Sequence, residues 1–158
     1  GYGRLISQSA RGALRLHRRL KEGDWNEFRM VMLPEPDLNI VCFAATHPEF
    51  ESLAAVNAFV DRIYHRMSAQ GDDAAQRPDF YVTKTTLRVE QYGDAALPVV
   101  RALGFSDEAY RQTGGGSVLR CTVMDPFLVE RRGRTDLIER FAAALARTMA
   151  EELRPAQR

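Results

Sequence analysis

Lysine is almost missing from this chain. Lys21 and Lys84 are the only lysines among 22 basic residues, and the others are arginine, so chemistry that needs a lysine amine has two positions to choose from. Cysteine is equally scarce. Cys42 and Cys121 cannot make a disulfide framework, and both stand in apolar, strand-like text where a free thiol behaves as a small hydrophobe. Reduced thiols and a cytoplasmic location are therefore expected. An excess of one charge is absent too: 22 basic residues face 21 acidic ones, a net charge of +1, which gives no global pull toward nucleic acid or a membrane surface. No apolar run approaches the ~20 residues of a membrane-spanning helix, and the opening residues contain no signal-peptide core. The first residues, Gly1-Tyr2-Gly3, include no methionine, as expected of a chain that begins inside a longer protein.

Familiar chemical signatures are also wanting. There is no GxxxxGK phosphate loop, no dinucleotide fingerprint after a strand and no zinc-type pairing of cysteine or histidine. His47 and His65 lack metal-ligand spacing and are expected to be satisfied or solvated, so no metal site is expected. Gly114-Gly115-Gly116 leads into a strand rather than a helix N-terminus, which denies it the dipole and free amides of an anion cradle. A flexible connecting loop is the expectation there.

What is present reads as one ordinary globular domain. With 45% hydrophobic and 27% charged residues, 158 residues suffice for a single core plus a connecting helix, which we divide as residues 1–24 and 25–158. Residues 3–22 predict an amphipathic helix, with Leu5, Ile6, Ala13, Leu16 and Leu20 on one side and Arg4, Arg11, Arg15 and Arg18 opposite. The arginine stripe is read as a solvated face or a contact with a partner subunit. Phe28–Leu33 and Leu38–Ala44 predict a hairpin across Pro34-Glu35-Pro36-Asp37. Leu53, Val56, Phe59, Val60, Ile63, Tyr64 and Met67 give the clearest helix, within 50–70; Gly71 stops it, and Asp72–Pro78 is a polar loop. A strand over Phe80–Glu90, short helices over 95–103 and 106–112, and a strand over Ser117–Met124 ended by Asp125-Pro126 follow. The last helix spans about Thr135 to Leu153, capped by Thr135 or Asp136, with Asp136 and Glu139 at capping-box spacing and Pro155 after its end. This order predicts an α+β fold: about four mainly antiparallel strands, helices on one face, and an N-terminal helical arm.

One side chain is conspicuous on physical grounds. Alternation in Ser117–Met124 places Leu119, Cys121 and Val123 on one face and Val118, Arg120 and Thr122 on the other. An arginine amid apolar strand text is costly unless paired, and its planar fork suits a carboxylate. That carboxylate belongs either to an internal Asp or Glu or to a substrate. Arg88, near the end of the preceding strand, raises the same question.

Three stretches then become recognisable together: Asp37-Leu38-Asn39-Ile40-Val41-Cys42-Phe43, Phe80-Tyr81-Val82-Thr83-Lys84-Thr85-Thr86-Leu87, and Val118-Leu119-Arg120-Cys121-Thr122-Val123-Met124-Asp125-Pro126. In order and spacing they resemble the C-terminal small domain of the group II pyridoxal-phosphate decarboxylases, which act on glutamate, aromatic amino acids, tyrosine and diaminobutyrate. Gly3-Arg4-Leu5-Ile6 and the helix after it resemble the segment joining the large domain of those enzymes to the small one.

The resemblance implies a fold-type-I lyase whose complete unit is a homodimer, with pyridoxal phosphate held as a lysine Schiff base by a large domain that this chain lacks. Neither Lys21 nor Lys84 follows a histidine, so the cofactor residues cannot be placed here, and no catalytic residue is expected in the chain itself. The matching Val118-Leu119-Arg120 motif implies that Arg120 contacts an amino-acid substrate through a carboxylate, with Thr85 and Arg88 as lesser candidates. A companion, either the large domain or a separate chain, is implied as partner, together with exposed apolar surface where it docks. Two other readings stand beside this one: a free-standing small-molecule-binding or regulatory domain, and an interaction module built on the arginine-striped helix.

Overall fold

The structure is a computed structural model that describes residues 1–68, 80–125, 128 and 136–154. Residues 69 and 70, Gly71, the Asp72–Pro78 loop, Pro126, Thr135 and Pro155 of the expectations above lie outside the described residues.

The chain opens with α1 (Tyr2–Glu22). Ala13, Leu16 and Leu20 are buried as the periodicity requires, and so are Gln8, Gly12 and His17. Leu5 and Ile6 lie on the same helical side but remain exposed, because the first turns reach beyond what the described residues cover. The hairpin forms from β1 (Arg29–Met32) and β2 (Ile40–Thr46), with the Leu33 amide donating to the Cys42 carbonyl at 3.0 Å.

Helix α2 (Leu53–Arg66) starts at Ser52, whose hydroxyl accepts from the Ala55 amide at 3.2 Å and so satisfies an otherwise orphaned donor. Its apolar stripe, Leu53, Val56, Phe59, Val60 and Ile63, is wholly buried. Strand β3 (Thr83–Arg88) is shorter than expected at both ends. The Val82 amide is taken by the Met67 carbonyl at 2.8 Å, and Val89 already begins a short helix, α3 (Val89–Tyr92). A 3-10 turn (Gly93–Ala96), α4 (Leu97–Ala102) and α5 (Asp107–Thr113) complete the expected helical stretch.

The glycine run is not the loop its composition suggests. Gly114 ends α5 in the left-handed region at φ 77°, but Gly115 and Gly116 already belong to β4 (Gly115–Thr122). A Cβ on Gly115 would stand 2.9 Å from the Leu87 carbonyl oxygen, so close strand approach, not flexibility, requires glycine there. Asn57 of α2 braces the same point, donating to the Gly115 carbonyl at 3.0 Å and accepting from the Ser117 amide at 2.7 Å.

The last helix, α6 (Leu137–Leu153), is capped by Asp136, which accepts from the Ile138 and Glu139 amides. Glu139 does not reach back to complete a capping box: its carboxylate instead holds Arg19 Nε at 2.8 Å. Arg15, on the stripe expected to be solvated or to meet a partner subunit, pairs with Asp136, and Arg19 pairs with Glu139, so two of the α1 arginines tie that helix to α6.

The four described strands form one antiparallel sheet in the order β1-β2-β4-β3. The α+β class, the antiparallel sheet and the N-terminal helix are as expected. Helices α1 and α2 lie on the face of Phe43, Leu119 and Val123, and α6 packs against both. The segment 89–113 adds partial cover to the other face: Val100 approaches Gly116, Arg29 donates to the Ala102 carbonyl, and Val31, Ala44 and Val118 are buried beneath it. Nothing among the described residues covers the rest of that second face, where Arg120 and Thr122 are exposed. Among the described residues no helix is long and apolar enough to cross a membrane.

Candidate functional site

The open half-face is built from rows of side chains fixed by strand register. Strand β4 lies between β2 and β3, and Arg120 has a paired neighbour on each of them. Arg120 lies directly opposite Cys42 on β2 and Thr83 on β3. One row further along, Thr122 lies opposite Ile40. Residues paired across strands share a face, so Thr83, Arg120, Cys42, Thr122 and Ile40 form one surface. Alternation along β4 gives the expected result, with Arg120 and Thr122 exposed while Leu119, Cys121 and Val123 are buried on the helix-covered side.

Arg120 Nε donates to Thr83 Oγ1 at 3.0 Å, and Thr83 Oγ1 donates to the Arg120 carbonyl at 3.1 Å. Among the described residues no carboxylate forms an ion pair with Arg120, in contrast to Arg15, Arg19, Arg66 and Arg101, which all have one. Exposed apolar side chains occur toward the same end of the sheet: Ile40, one row from Arg120, is 43% exposed, Tyr81 51% and Met124 78%. A cavity of about 280 Å³ opens near the same end between the sheet and α6, with Tyr81, Thr122 and Met124 among its lining residues; Arg120 does not line it but stands on the open face.

Burial shifts both thiols near Arg120. Burial pushes the half-buried Cys42 thiol above its ordinary value, and the Arg120 guanidinium pulls the other way. Cys121 faces the opposite side of the sheet, where burial, reinforced by Cys42, pushes its thiol up to about 12. Both cysteines are free.

The three sequence candidates separate. Thr85 shares the face of Arg120, half-buried opposite Val118 at the edge of the part covered by 89–113. Arg88 is exposed opposite Gly115, at the far end of β3 and on the alternate face, so it does not join the Arg120 surface. Thr83 and Cys42, the immediate neighbours of Arg120, were not singled out from sequence; only the pairing of β4 between β2 and β3 reveals them. The threonine-rich run of β3 was the one available signal.

The remaining polar groups have structural settings. Lys84 pairs with Asp61 beneath α2, 5.8 Å from the Tyr64 ring centroid, and Lys21 is exposed at the end of α1. His17 meets the Leu33 carbonyl at 3.2 Å, and His65 is exposed beside Tyr64. His47 is buried between Phe28 and Phe50, its Nδ1 accepting from the Glu49 amide at 3.2 Å and its Nε2 lying 3.5 Å from the Glu27 carboxylate. Among the described residues no group of His, Cys, Asp or Glu could hold a metal ion.

Comparison with known proteins gives a consistent outcome. The profile of the family described as "Tyrosine decarboxylase, C-terminal" matches residues 12–153. The chain is 30% identical over 136 residues to an L-tyrosine decarboxylase of Enterococcus faecalis, covering 83% of this chain and 22% of that protein. It is 27% identical to the L-tyrosine decarboxylase of Levilactobacillus brevis, with 83% and 21% covered. For the Enterococcus faecium L-tyrosine decarboxylase the identity is 26%, with 97% and 25% covered. The chain thus spans a quarter or less of the length of these relatives.

Proposed function

The chain belongs to the tyrosine decarboxylase C-terminal family, in keeping with its resemblance to the small domain of group II decarboxylases, and from that premise we propose that it completes the active site of a pyridoxal-phosphate-dependent L-amino-acid decarboxylase. The observation that carries this reading is the Arg120 surface. Among the described residues a guanidinium stands exposed on an uncovered half-face without a carboxylate partner, one register row from the exposed Ile40. Its fork suits the carboxylate of an amino acid, and the exposed apolar side chains of Ile40, Tyr81 and Met124 suit docking of a companion surface. L-Tyrosine is the first substrate to test, after the names of the relatives.

Pyridoxal phosphate supplies the electron sink for decarboxylation. The residues of this chain do not fit that cofactor: Lys84 is committed to Asp61 beneath α2, Lys21 is exposed at a helix end, and neither follows a histidine. The cofactor therefore belongs to a companion, either a large domain or a separate chain, and no cofactor step is assigned to residues here. In this reading residues 1–24 connect to the companion, residues 25–158 form the small domain, and the complete unit is a cytoplasmic homodimer. Arg120 orients the substrate carboxylate. Thr85, on the same face, is the lesser candidate, and Arg88 falls away because it faces elsewhere.

The test is to isolate the chain with whatever accompanies it. A companion carrying a His-Lys pair, visible absorbance from bound pyridoxal phosphate, and carbon dioxide release from L-tyrosine are expected. A colourless monomer that by itself binds an amino acid selectively would establish the free-standing binding domain instead. Partner binding that weakens when Arg11, Arg15 and Arg18 become glutamine would establish the interaction module.

A further inference from the structure

We infer that Thr83 is a positioning residue that holds the Arg120 guanidinium end-on toward the substrate carboxylate; this rests on the reading of Arg120 given above. A hydroxyl carries one proton and two lone pairs. The Thr83 proton goes to the Arg120 carbonyl at 3.1 Å, which leaves a lone pair for Arg120 Nε at 3.0 Å. The two bonds are mutually consistent and fix the polarity of the hydroxyl. Because Thr83 lies directly opposite Arg120 in the ladder, the backbone and the side chain of the arginine are held by one group.

The consequence is directional. An arginine can grip a carboxylate through its Nε–Nη edge or through its two Nη groups. With Nε engaged by Thr83, the Nη end is the one left for a two-point grip. The other flank presents Cys42, whose thiol is too weak a hydrogen-bonding group to compete. Threonine also suits the task better than serine, because its branched Cβ restricts χ1 on a strand. A carboxylate arriving on the open face therefore meets a fork whose approach angle is already set, so less side-chain entropy is lost on binding.

The test uses the complete assembly and two non-reacting probes, with affinities read by calorimetry. One is 3-(4-hydroxyphenyl)propionate, which keeps the carboxylate and lacks the amine; the other is tyramine, which keeps the amine and lacks the carboxylate. Thr83→Val is nearly isosteric and removes the hydroxyl. It is expected to weaken the carboxylate probe about tenfold, the usual weight of a hydrogen bond to a charged group, and to leave tyramine unchanged. Thr83→Ser should recover most of the loss. If Thr83→Val does not assemble, Thr83→Cys reads the same contrast with a weakly bonding thiol. An equal loss for both probes, or no rescue by serine, overturns the inference as a general structural effect. If Arg120→Met weakens the carboxylate probe while Thr83→Val does not, the Thr83 inference alone falls. If Arg120→Met leaves that probe unaffected, the underlying reading of Arg120 falls and takes this one with it.

Discussion

Replacing Arg120 with methionine should separate stability from function. The side chain is exposed and makes one hydrogen bond, to Thr83, with no ion pair among the described residues. Methionine keeps an apolar stem over the strand surface, so the folded state loses little more than one solvent-exposed bond. The expected change in unfolding free energy is within about 0.5 kcal/mol. For a chain of this size that is a melting shift of about 2 °C or less. Function should respond differently: a fork–carboxylate pair in a closed site is worth about 1.5–3 kcal/mol. Conversion of that range predicts a fall in kcat/KM of about 10- to 150-fold in the complete assembly. Thermal melting of the chain and steady-state decarboxylation by the assembly give the two readings. A structural salt bridge would invert them, since removing one partner of a buried pair costs about 3–5 kcal/mol. A melting loss above about 6 °C, or an unchanged kcat/KM, refutes the reasoning.

Three further outcomes follow from the fold. Gly115→Ala forces a Cβ to within 2.9 Å of the Leu87 carbonyl, and should cost about 1–3 kcal/mol, seen as a lower denaturant midpoint at constant slope. Asp136→Ala removes the α6 cap and the Arg15 pair together, for a loss of about 1 kcal/mol. Asp136→Asn keeps the cap and should lose under about 0.5 kcal/mol, so equal losses would deny the capping role. Cys121 is held protonated by burial, its thiol pushed from 9.0 up to about 12. Below pH 9 both folded and unfolded chains keep that proton, and the group adds no pH dependence. As pH rises above 9 the unfolded chain releases it first, so stability should fall by up to about 1.4 kcal/mol per unit. Cys121→Val should lack this component of the slope when unfolding is compared at pH 8 and pH 10.

Local patterns carried the parts of the fold that depend on local geometry. The period of two in β4 sorted Arg120 from Leu119 and Cys121 without knowledge of any neighbour, and the stripe of α2 buried as its spacing required. Pairing is not local. Nothing near residue 120 announces that β4 inserts between β2 and β3, so Thr83 and Cys42 came into view only with the register. The helix projection likewise groups Leu5 and Ile6 with Leu16, but amphipathicity reports which side is apolar and not how far a covering layer extends. Gly115 misled through composition: glycine suits loops, yet here it is dictated by the backbone of β3, 28 residues away in sequence at Leu87. The pairing of Lys84 with Asp61 is equally non-local, visible only once α2 lies against β3.

The exposure of Arg120 also bears on how the chain could work. An ion pair formed on an open surface is worth at most about 1 kcal/mol, because water screens it and both side chains lose freedom. The surface as it stands is therefore a poor amino-acid receptor, which weighs against a free-standing binding domain. Covering it changes the balance, since excluding water strengthens every charged hydrogen bond that remains properly paired. Ile40, Tyr81 and Met124 supply the apolar contact that favours such covering, and Thr83 supplies orientation before any substrate arrives. Covering without a carboxylate, however, would leave the guanidinium desolvated and unpaired, at a cost that opposes closure. A companion surface and a substrate should thus favour one another's binding, with Arg120 as the group through which that coupling runs.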